Sequence, residues 1–562
     1  MAADKDKMVR RWEALKTERA SWVPHWTELS RYLQPRLGRF FTSDRNKGEK
    51  RHNAIYDSTG TRALRVLAAG LMAGMTSPAR PWFRLTTSND TLDEHHSVKQ
   101  WLNDCRKLML RVFAKGNHYR ALHTIYEELG CFGTAANLIM PNFERVQHNY
   151  TFTCGEYAIA TDYEGMVNAF YREVDIRVGA LVKKFGRENC SNSVRSLFDR
   201  NQVDQWITII HGIEPREERD YDAGGAKNMP YASCYFEKGA APGQYLSESG
   251  LKRFRLVAPR WHATGGDVYG NSPGMEALGD IKQLQHEQLR KAQGIDYQTK
   301  PPIGLPTTAD GKADLLPGGV TYFNTAEPNS GASRQMFQSN LDLNHLLADI
   351  QDIRQRINQA FFADLFLMLT QMEPTTMTAT EIAERHEEKM LVLGPVLEQL
   401  HYELLSPMVE MCFADLLEAG AIPPPPPEMN GIPLNVEFVS VLAQAQRAIG
   451  TASTDRFVGN LGVVANIKPD VLDKFDSDKW VDIYSDQLGV DPELVVPDEK
   501  VALIRQSRAQ AQRAAEASAQ AEQMANTANK LGNAPTQGGA SNALTDLLGQ
   551  FQGYQAPSPE SF

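Results

Sequence analysis

Two long helical runs separated by a Gly/Pro-rich excursion constrain this chain more than any other feature. Ser272-Pro273 opens the first, which reads as a helix from Gly274 to about Tyr297 and meets a stop at Pro301-Pro302. A proline in the first turn costs no helical hydrogen bond, whereas a proline pair after the last turn cannot continue one. The second run, Leu341 to Leu367, carries Ile353, Ile357, Phe361, Leu365 and Met368 at four- and three-residue steps, which line one helical face. Between them, residues 303–335 are Gly/Pro-rich with one short hairpin-like piece, GGVTYFN. Two helices so joined form an αα-hairpin, a unit that can stack side by side around a ring.

The chain before this hairpin changes texture twice. Met8, Trp12, Leu15, Trp22, Val23, Trp26, Leu29 and Leu33 recur at helical spacing, and Pro24 divides the run into two short helices. Three tryptophans on one stripe form either a ligand platform or, more ordinarily, a face docked on the core or on a neighbouring subunit. Asp57 to Met75 is a further helix with Ser58 or Thr59 as N-cap, and its Ala68, Ala69, Gly70, Ala73 and Gly74 permit close packing. Helices over Val98–Phe113 and His118–Leu129 are expected to close at Gly116 and Gly130. From about residue 134, the runs NLIM, YTFTC, EYAIA, MVNAFYREV, QWITII, YASCYF and FRLVAP read as strands, interrupted by a helix from Ile176 to Phe185. This is the pattern of an α+β domain with an antiparallel sheet.

After the hairpin, residues 369–377 read as a Thr/Met-rich loop. Thr378 and Glu381 form a capping box that opens a third helix reaching Glu418 and closed by Gly420. Unbroken, it would be about 60 Å long, with kinks at Pro395 and Pro407. Pro423 to Pro427 form a stiff connector, and residues 434–500 read as mostly helical and mixed. Val501 to Leu531 has high helix propensity but few large apolar residues, so that helix needs neighbours, for instance copies of itself. Residues 532–562 read as disordered, with a short helix near Leu544 to Leu548.

The 562 residues suffice for roughly three or four domains, and a chain of this length needs neither disulfides nor metal to fold. The formal net charge of −10 argues against a protein that grips nucleic acid tightly. Any DNA contact should be local, weak or sliding; mild acidity alone also serves solubility. Cys105, Cys131, Cys154, Cys190, Cys234 and Cys412 form no CxxC pair and read as reduced, mostly buried thiols. The N-terminus lacks a signal-peptide core and no stretch is long enough to span a bilayer, so a soluble protein made in a cytoplasm is expected.

Chemistry-bearing motifs are scarce. There is no GxxxxGK[ST], no HExxH and no GxSxG. His95-His96 lacks supporting carboxylates, and nothing singles out Cys154 with His211. Neither a catalytic residue nor a cofactor is therefore expected.

Three stretches carry a family resemblance: IYDSTGTRALRVLAAGLMAGMTSPARPWFRL (55–85), VYGNSPGMEALGDIKQLQHEQLRKAQGIDYQTKPP (268–302) and MTATEIAERHEEKMLVLGPVLEQLHYELLSPMVEMCFADLLEAGAIPPPP (377–426). In order and spacing they resemble the portal, or head-to-tail connector, proteins of short-tailed bacteriophages, over most of residues 1–440. The resemblance implies an α+β, mainly α portal fold assembled as a dodecameric ring at one capsid vertex. It implies a wing of N-terminal helices and antiparallel sheet (1–260), a loop and first stem helix (261–297), a clip (298–340) and a second stem helix (341–367). A channel loop (368–377), a long kinked wing helix with its Pro-rich connector (378–433), a helical crown (434–531) and a flexible tail (532–562) complete it. The implied role is a channel for double-stranded DNA in packaging and ejection. Implied partners are major capsid and scaffolding proteins, the terminase large subunit, tail adaptor and tail tube proteins, and internal core proteins, with no membrane. The implied location is the virion, after assembly in the host cytoplasm. A non-viral helical ring scaffold or adaptor without a DNA channel fits the same helices, while a nuclease would need clustered carboxylates and a membrane-penetrating protein an apolar span.

Duplex DNA carries one charge per about 1.7 Å of axis, so a basic channel would hold it and a mixed or acidic one would let it slide. The second helix leans acidic, with Asp342, Asp349, Asp352 and Asp364 against Arg354 and Arg356. On the first, Lys282, Arg290 and Lys291, followed by Lys300, have two readings: rings of positive charge near DNA phosphates, or partners of Glu276, Asp280 and Glu287 on a neighbouring subunit. With Asp352 and Arg356, and with Gln371, Met372, Glu373, Thr375, Thr376 and Met377 in the loop, they are the candidate channel-lining residues.

Overall fold

The computed structural model describes residues 4–40, 53–87, 95–219, 224–239, 241, 243–306, 314, 316–323, 334–335, 343–370, 393–429, 434–438, 456–465, 468–488, 494–496 and 498–532. They fall into two compact units, residues 1–475 and 476–562.

The first unit opens with α1 (Lys5–Ala20) and α2 (Val23–Tyr32), divided where Pro24 enters α2 in its first turn. Their tryptophans serve packing: Trp12 stacks on Tyr171, while Trp22 and Trp26 enclose Tyr269. Helix α3 (Thr59–Met75) begins as expected, but the Ser58 side chain makes no capping bond. Asp57 does so instead, its Oδ1 accepting from the Thr59 amide and hydroxyl. Strand β1 (Phe83–Thr87) precedes α4 (His96–Lys115) and α5 (His118–Phe132). Helix α5 runs past Gly130, which stays helical, and ends at Gly133 with φ 77°. The left-handed conformation favours glycine there, and a Cβ would also collide with the Gly270 carbonyl.

Strands β2 (Ala136–Asn142) and β3 (Val146–Phe152) pair as a hairpin, then β4 (Tyr157–Thr161) and β5 (Val167–Arg177) as another. Strand β5 extends through Ile176, so the helix expected from that residue, α6 (Val178–Phe185), starts later. Helix α7 (Asn192–Asp199) was not anticipated; Ser191 caps it. Strands β6 (Trp206–Pro215), β7 (Tyr231–Glu237) and β8 (Ser247–Leu251) complete a five-stranded antiparallel sheet in chain order from β4. Side chains shield its β4 edge: the Arg19 guanidinium donates to the Tyr157 carbonyl at 2.5 Å, and the Tyr269 hydroxyl accepts from the Ile159 amide. Capping an edge in this way removes a pairing template. Of FRLVAP only β9 (Leu256–Val257) is strand, added to β2 to give the order β3-β2-β9.

Helix α8 (Pro273–Thr299) follows, then β10 (Ile303–Pro306), β11 (Val320–Phe323) and β12 (Arg334–Gln335). The piece GGVTYFN is not half of a hairpin, since β11 lies parallel to β10, with β12 antiparallel on its other side. Helix α9 (Leu343–Ala360) stops short of the expected Leu367, and α10 (Ala363–Thr370) resumes after Phe362, whose φ is 55°. That break keeps Phe361 fully buried and sets Phe362 beside Trp261. Residues 393–400 form α11, a π-helical turn covers His401–Leu405, and α12 spans Ser406–Glu418. The turn sits immediately before Pro407, which cannot donate to a carbonyl of the preceding turn; Gly420 follows at φ 64°. The region after the prolines was read as helical, yet it opens with a strand, β13 (Leu434–Phe438), paired antiparallel to β1.

One apolar cluster joins α2 to α5, the β3-β2-β9 sheet, α8 to α10 and α11–α12. Smaller clusters lie under α1 and under α6–α7. All six cysteines are free and buried. In the second unit, α14 (Ser477–Leu488) and α15 (Asp498–Gly532), which follow α13 (residues 456–465) in the chain, are joined by the Arg505–Asp478 ion pair. Beyond Val501, α15 is exposed along its described side chains. The loop expected from residue 369 starts later, since Leu369 and Thr370 still belong to α10; residues 371–377, the capping box at Thr378 and the helix near Leu544 lie outside the described residues.

Candidate functional site

The α8–α9 hairpin is built from its root. The Ser272 hydroxyl accepts from the Met275 amide at 3.0 Å and donates to the Cys131 carbonyl at 2.9 Å, so the residue that starts α8 also fixes it to the end of α5. Ala277, Leu278, Ile281 and Leu284 of α8, with Ile350, Ile353 and Ile357 of α9, are buried in the main core. The helices run antiparallel: Arg356 pairs with Asp280 at 3.5 Å, and seven residues along, Glu287 meets Asp349.

That carboxylate pair is the hairpin's unusual feature. Burial, first, and the charge of Asp349 push the Glu287 carboxyl up, against a hydrogen bond from Gln283 (2.7 Å) and the charge of Arg356. Glu287 Oε2 is buried with no donor aimed at it.

Asp57 ties the hairpin to the start of α3. Its Oδ2 accepts from Arg354 at 2.7 and 3.1 Å and from Gln288 at 3.0 Å. The buried Gln285 amide accepts from the Tyr56 and Asp57 amides at 2.6 and 2.8 Å and donates to the Asp57 carbonyl at 2.9 Å. Burial raises the Asp57 carboxyl, but the hydrogen bonds from Thr59 and Arg354 outweigh it and hold the group below its ordinary value. A cleft of about 660 Å³ opens here, lined by Tyr56, Asp57, Arg62, Gln288, Arg354 and Asn358 among others.

Two buried ion pairs hold the long helical segment. Asp415 of α12 takes both ends of Arg255, at 2.6 and 2.7 Å, and a hydrogen bond from Gln147 at 2.7 Å. Glu403, in the π turn, accepts from the Arg260 amide at 2.8 Å, from Arg260 Nε at 3.0 Å and from Gln399 at 2.7 Å. Such pairs keep their strength because hydrogen bonds satisfy the carboxylates' remaining lone pairs.

The candidate channel residues are dispersed over this frame. Lys282 binds both oxygens of Glu28 at 2.9 Å and lies over the Tyr32 ring. Arg290 Nε reaches His286 at 3.4 Å, Lys291 is half-buried, and Lys300 is exposed just beyond α8. Asp352 and Arg356 pair with each other at 3.4 Å. Gln371, Met372, Glu373, Thr375, Thr376 and Met377 lie outside the described residues. Sequence reasoning missed Asp57, Gln285, Arg255 and Arg260; only Asp57, two residues before Thr59, carried a local signal, that of an Asx turn. Among the described residues, no group of three or more His, Cys, Asp or Glu could hold a metal, and no helix is long and apolar enough to cross a membrane.

The family model for the bacteriophage head to tail connecting protein matches residues 5–496. The chain belongs to that family, and its role is that of a phage portal protein, the head-to-tail connector. It is 59% identical over 548 residues to the probable portal protein of Bordetella phage BPP-1, covering 97% of this chain and 98% of the relative. It is 41% identical over 546 residues to the portal protein of Salmonella phage epsilon15, with the same coverage. Among solved structures, a chain of the neck of an empty gene transfer agent particle, computed with C6 symmetry, gives a TM-score of 0.32 at 13% identity, covering 74% of this chain and 89% of that one.

Proposed function

We propose that twelve copies form a ring at one capsid vertex, with α8–α9 hairpins around a channel through which double-stranded DNA enters and leaves. The observation that carries this reading is the exposure of the hairpin's far half. Beyond Gln285, only Gly294 of α8 is buried, and α9 has no buried described residue before Ile350. A helix pair that extends beyond its own core needs neighbours, and copies of itself around a closed ring provide them.

In this reading residues 1–260 are the wing, 261–297 and 341–367 the stem, and 298–340 the clip, where the terminase large subunit and then tail adaptor and tail tube proteins dock. The channel loop expected over 368–377 is confined in this reading to 371–377, because 368–370 end α10; 378–433 are the long wing helix and connector, 434–531 the crown and 532–562 a flexible tail. The ring contacts major capsid, scaffolding and internal core proteins, assembles in the host cytoplasm, and acts structurally, without a reaction of its own. The two buried ion pairs support the wing assignment, because they fasten the long helix to the sheet layer. Native mass spectrometry of the purified protein tests the proposal. Closed oligomers, with the dodecamer prominent, are expected; a monomer at every concentration would refute it.

A further inference from the structure

We propose that the tip of the β4–β5 hairpin of one copy, bearing Tyr163 and Glu164, docks into a cationic corner between α6 and β3 of the next copy, formed by Arg172, Lys184, Tyr235 and Tyr150. The inference rests on the ring reading above and names one contact between neighbouring copies.

The corner is built on one row of the five-stranded sheet, where Arg172, His211 and Tyr235 sit opposite one another on β5, β6 and β7. His211 is buried and stacks on the Tyr235 ring at 3.9 Å. Arg172 lies over the Phe152 ring of β3 at 4.5 Å, and Lys184 of α6 reaches over the Tyr235 ring at 4.9 Å. Burial, and then the charge of Arg172, lowers the Lys184 ammonium; burial, and then both cations, hold His211 well below its ordinary value. Among the described residues, no carboxylate forms an ion pair with Arg172 or Lys184, and none acts on Lys184 or His211. Nearby cations are paired in the ordinary way, Arg177 with Asp204, Arg187 with Asp199 and Lys238 with Glu173. Two partly desolvated cations that repel each other, in a chain with 69 acids against 59 bases, lack an anion between them.

The hairpin tip carries such an anion. Tyr163 is 95% exposed, and its hydroxyl lies beside the exposed Glu164 carboxylate, which pairs with no cation among the described residues. The tip is preorganised: Asp162 Oδ1 accepts from the Glu164 and Met166 amides at 3.0 and 2.9 Å, and Arg260 donates to the Gly165 carbonyl at 2.8 Å. A rigid tip loses little freedom on docking. Its tyrosine beside a carboxylate complements the exposed Tyr150 beside two cations. The tip cannot reach the corner of its own chain, because it lies beyond the start of β5 at Val167, and about 17 Å of straight strand separates Val167 from Arg172. Two different patches that meet between copies make a heterologous contact, the kind that closes into a ring. A nucleic-acid strand fits less well, since two cations match one anionic group and the faces of Phe152 and Tyr235 are already covered.

The test uses the full-length chain with Lys184→Glu or Glu164→Lys, each alone and the two mixed in equal amounts, with closed oligomers followed by native mass spectrometry over a range of concentrations. Each variant alone sets like charges against each other and should need at least roughly tenfold more protein for half-assembly. In the mixture the altered corner meets the altered tip, and the unaltered corner the unaltered tip, so alternating copies should assemble near the wild-type concentration. Assembly of both single variants at the wild-type concentration would overturn the contact and leave the corner to an anion from another molecule. A defect that mixing does not relieve would overturn it as well. A wild-type chain that forms no closed oligomer would instead overturn the ring reading itself.

Discussion

Arg255 and Asp415 show how a single pair can decide the placement of a long helix. Both side chains are buried, so removing either leaves an uncompensated charge, whereas removing both leaves a packing problem and the buried Gln147 amide without its acceptor. Arg255→Met and Asp415→Leu should each lower stability by about 3–5 kcal/mol, and the double variant should lose less than the sum. Chemical denaturation of the four proteins measures the cycle; additive losses would mean that the pair is not coupled. Glu128 makes a different case. It is fully buried, and burial, as the main cause, raises its carboxyl to about 8 despite hydrogen bonds from the Thr153 hydroxyl (2.6 Å) and the Cys154 amide (3.0 Å). A carboxyl with a raised folded value stabilises fully below its ordinary 4.5 and loses that contribution as pH rises toward 8. Between pH 5 and 8 the wild type should therefore lose melting temperature relative to Glu128→Gln, whatever slope the buried His118 and His211 add to both proteins. Equal slopes would mean that the carboxyl is ionised in the folded protein throughout.

Among the elements, α3 shows what the chain reveals to a reader and what it does not. Its small residues announced close packing, and Gly70 indeed faces the Phe366 ring of α10, which a Cβ would penetrate. Gly70→Ala should gain about 1 kcal/mol of helix propensity and still lose a net 1–3 kcal/mol or so from overpacking. Thermal unfolding checks this, and a stabilised variant would show that the ring simply moves aside. Helices with apolar periodicity and proline punctuation, α1, α2 and α8, were legible nearly to their ends, and α15 was legible from helix propensity alone. So were most strands of the five-stranded sheet, because alternation and turn residues are local signals. The β1–β13 pair was not, since its strands lie hundreds of residues apart and neither alternates for long. The break at Phe362 was equally hidden: the apolar spacing runs straight through it, and tertiary packing of Phe361 and Phe362 overrides the helix. Of the candidate site, the hairpin itself was legible; its ion pairs were not, because Asp57–Arg354 and Lys282–Glu28 join segments that only folding brings together.

At the scale of the whole molecule, the account rests on one arrangement: a core-rooted wing from which the α8–α9 hairpin extends, repeated around a channel. Family membership gives the connector role; the exposed far half of the hairpin supports the proposal that copies of a chain of net charge −10 surround DNA without holding it. A cryo-EM reconstruction of the purified assembly tests that arrangement most directly. The account predicts a ring with a central opening wider than a duplex, about 20 Å, walled by α8–α9 hairpins. A closed assembly without an opening, or a ring whose hairpins point away from the axis, would contradict it.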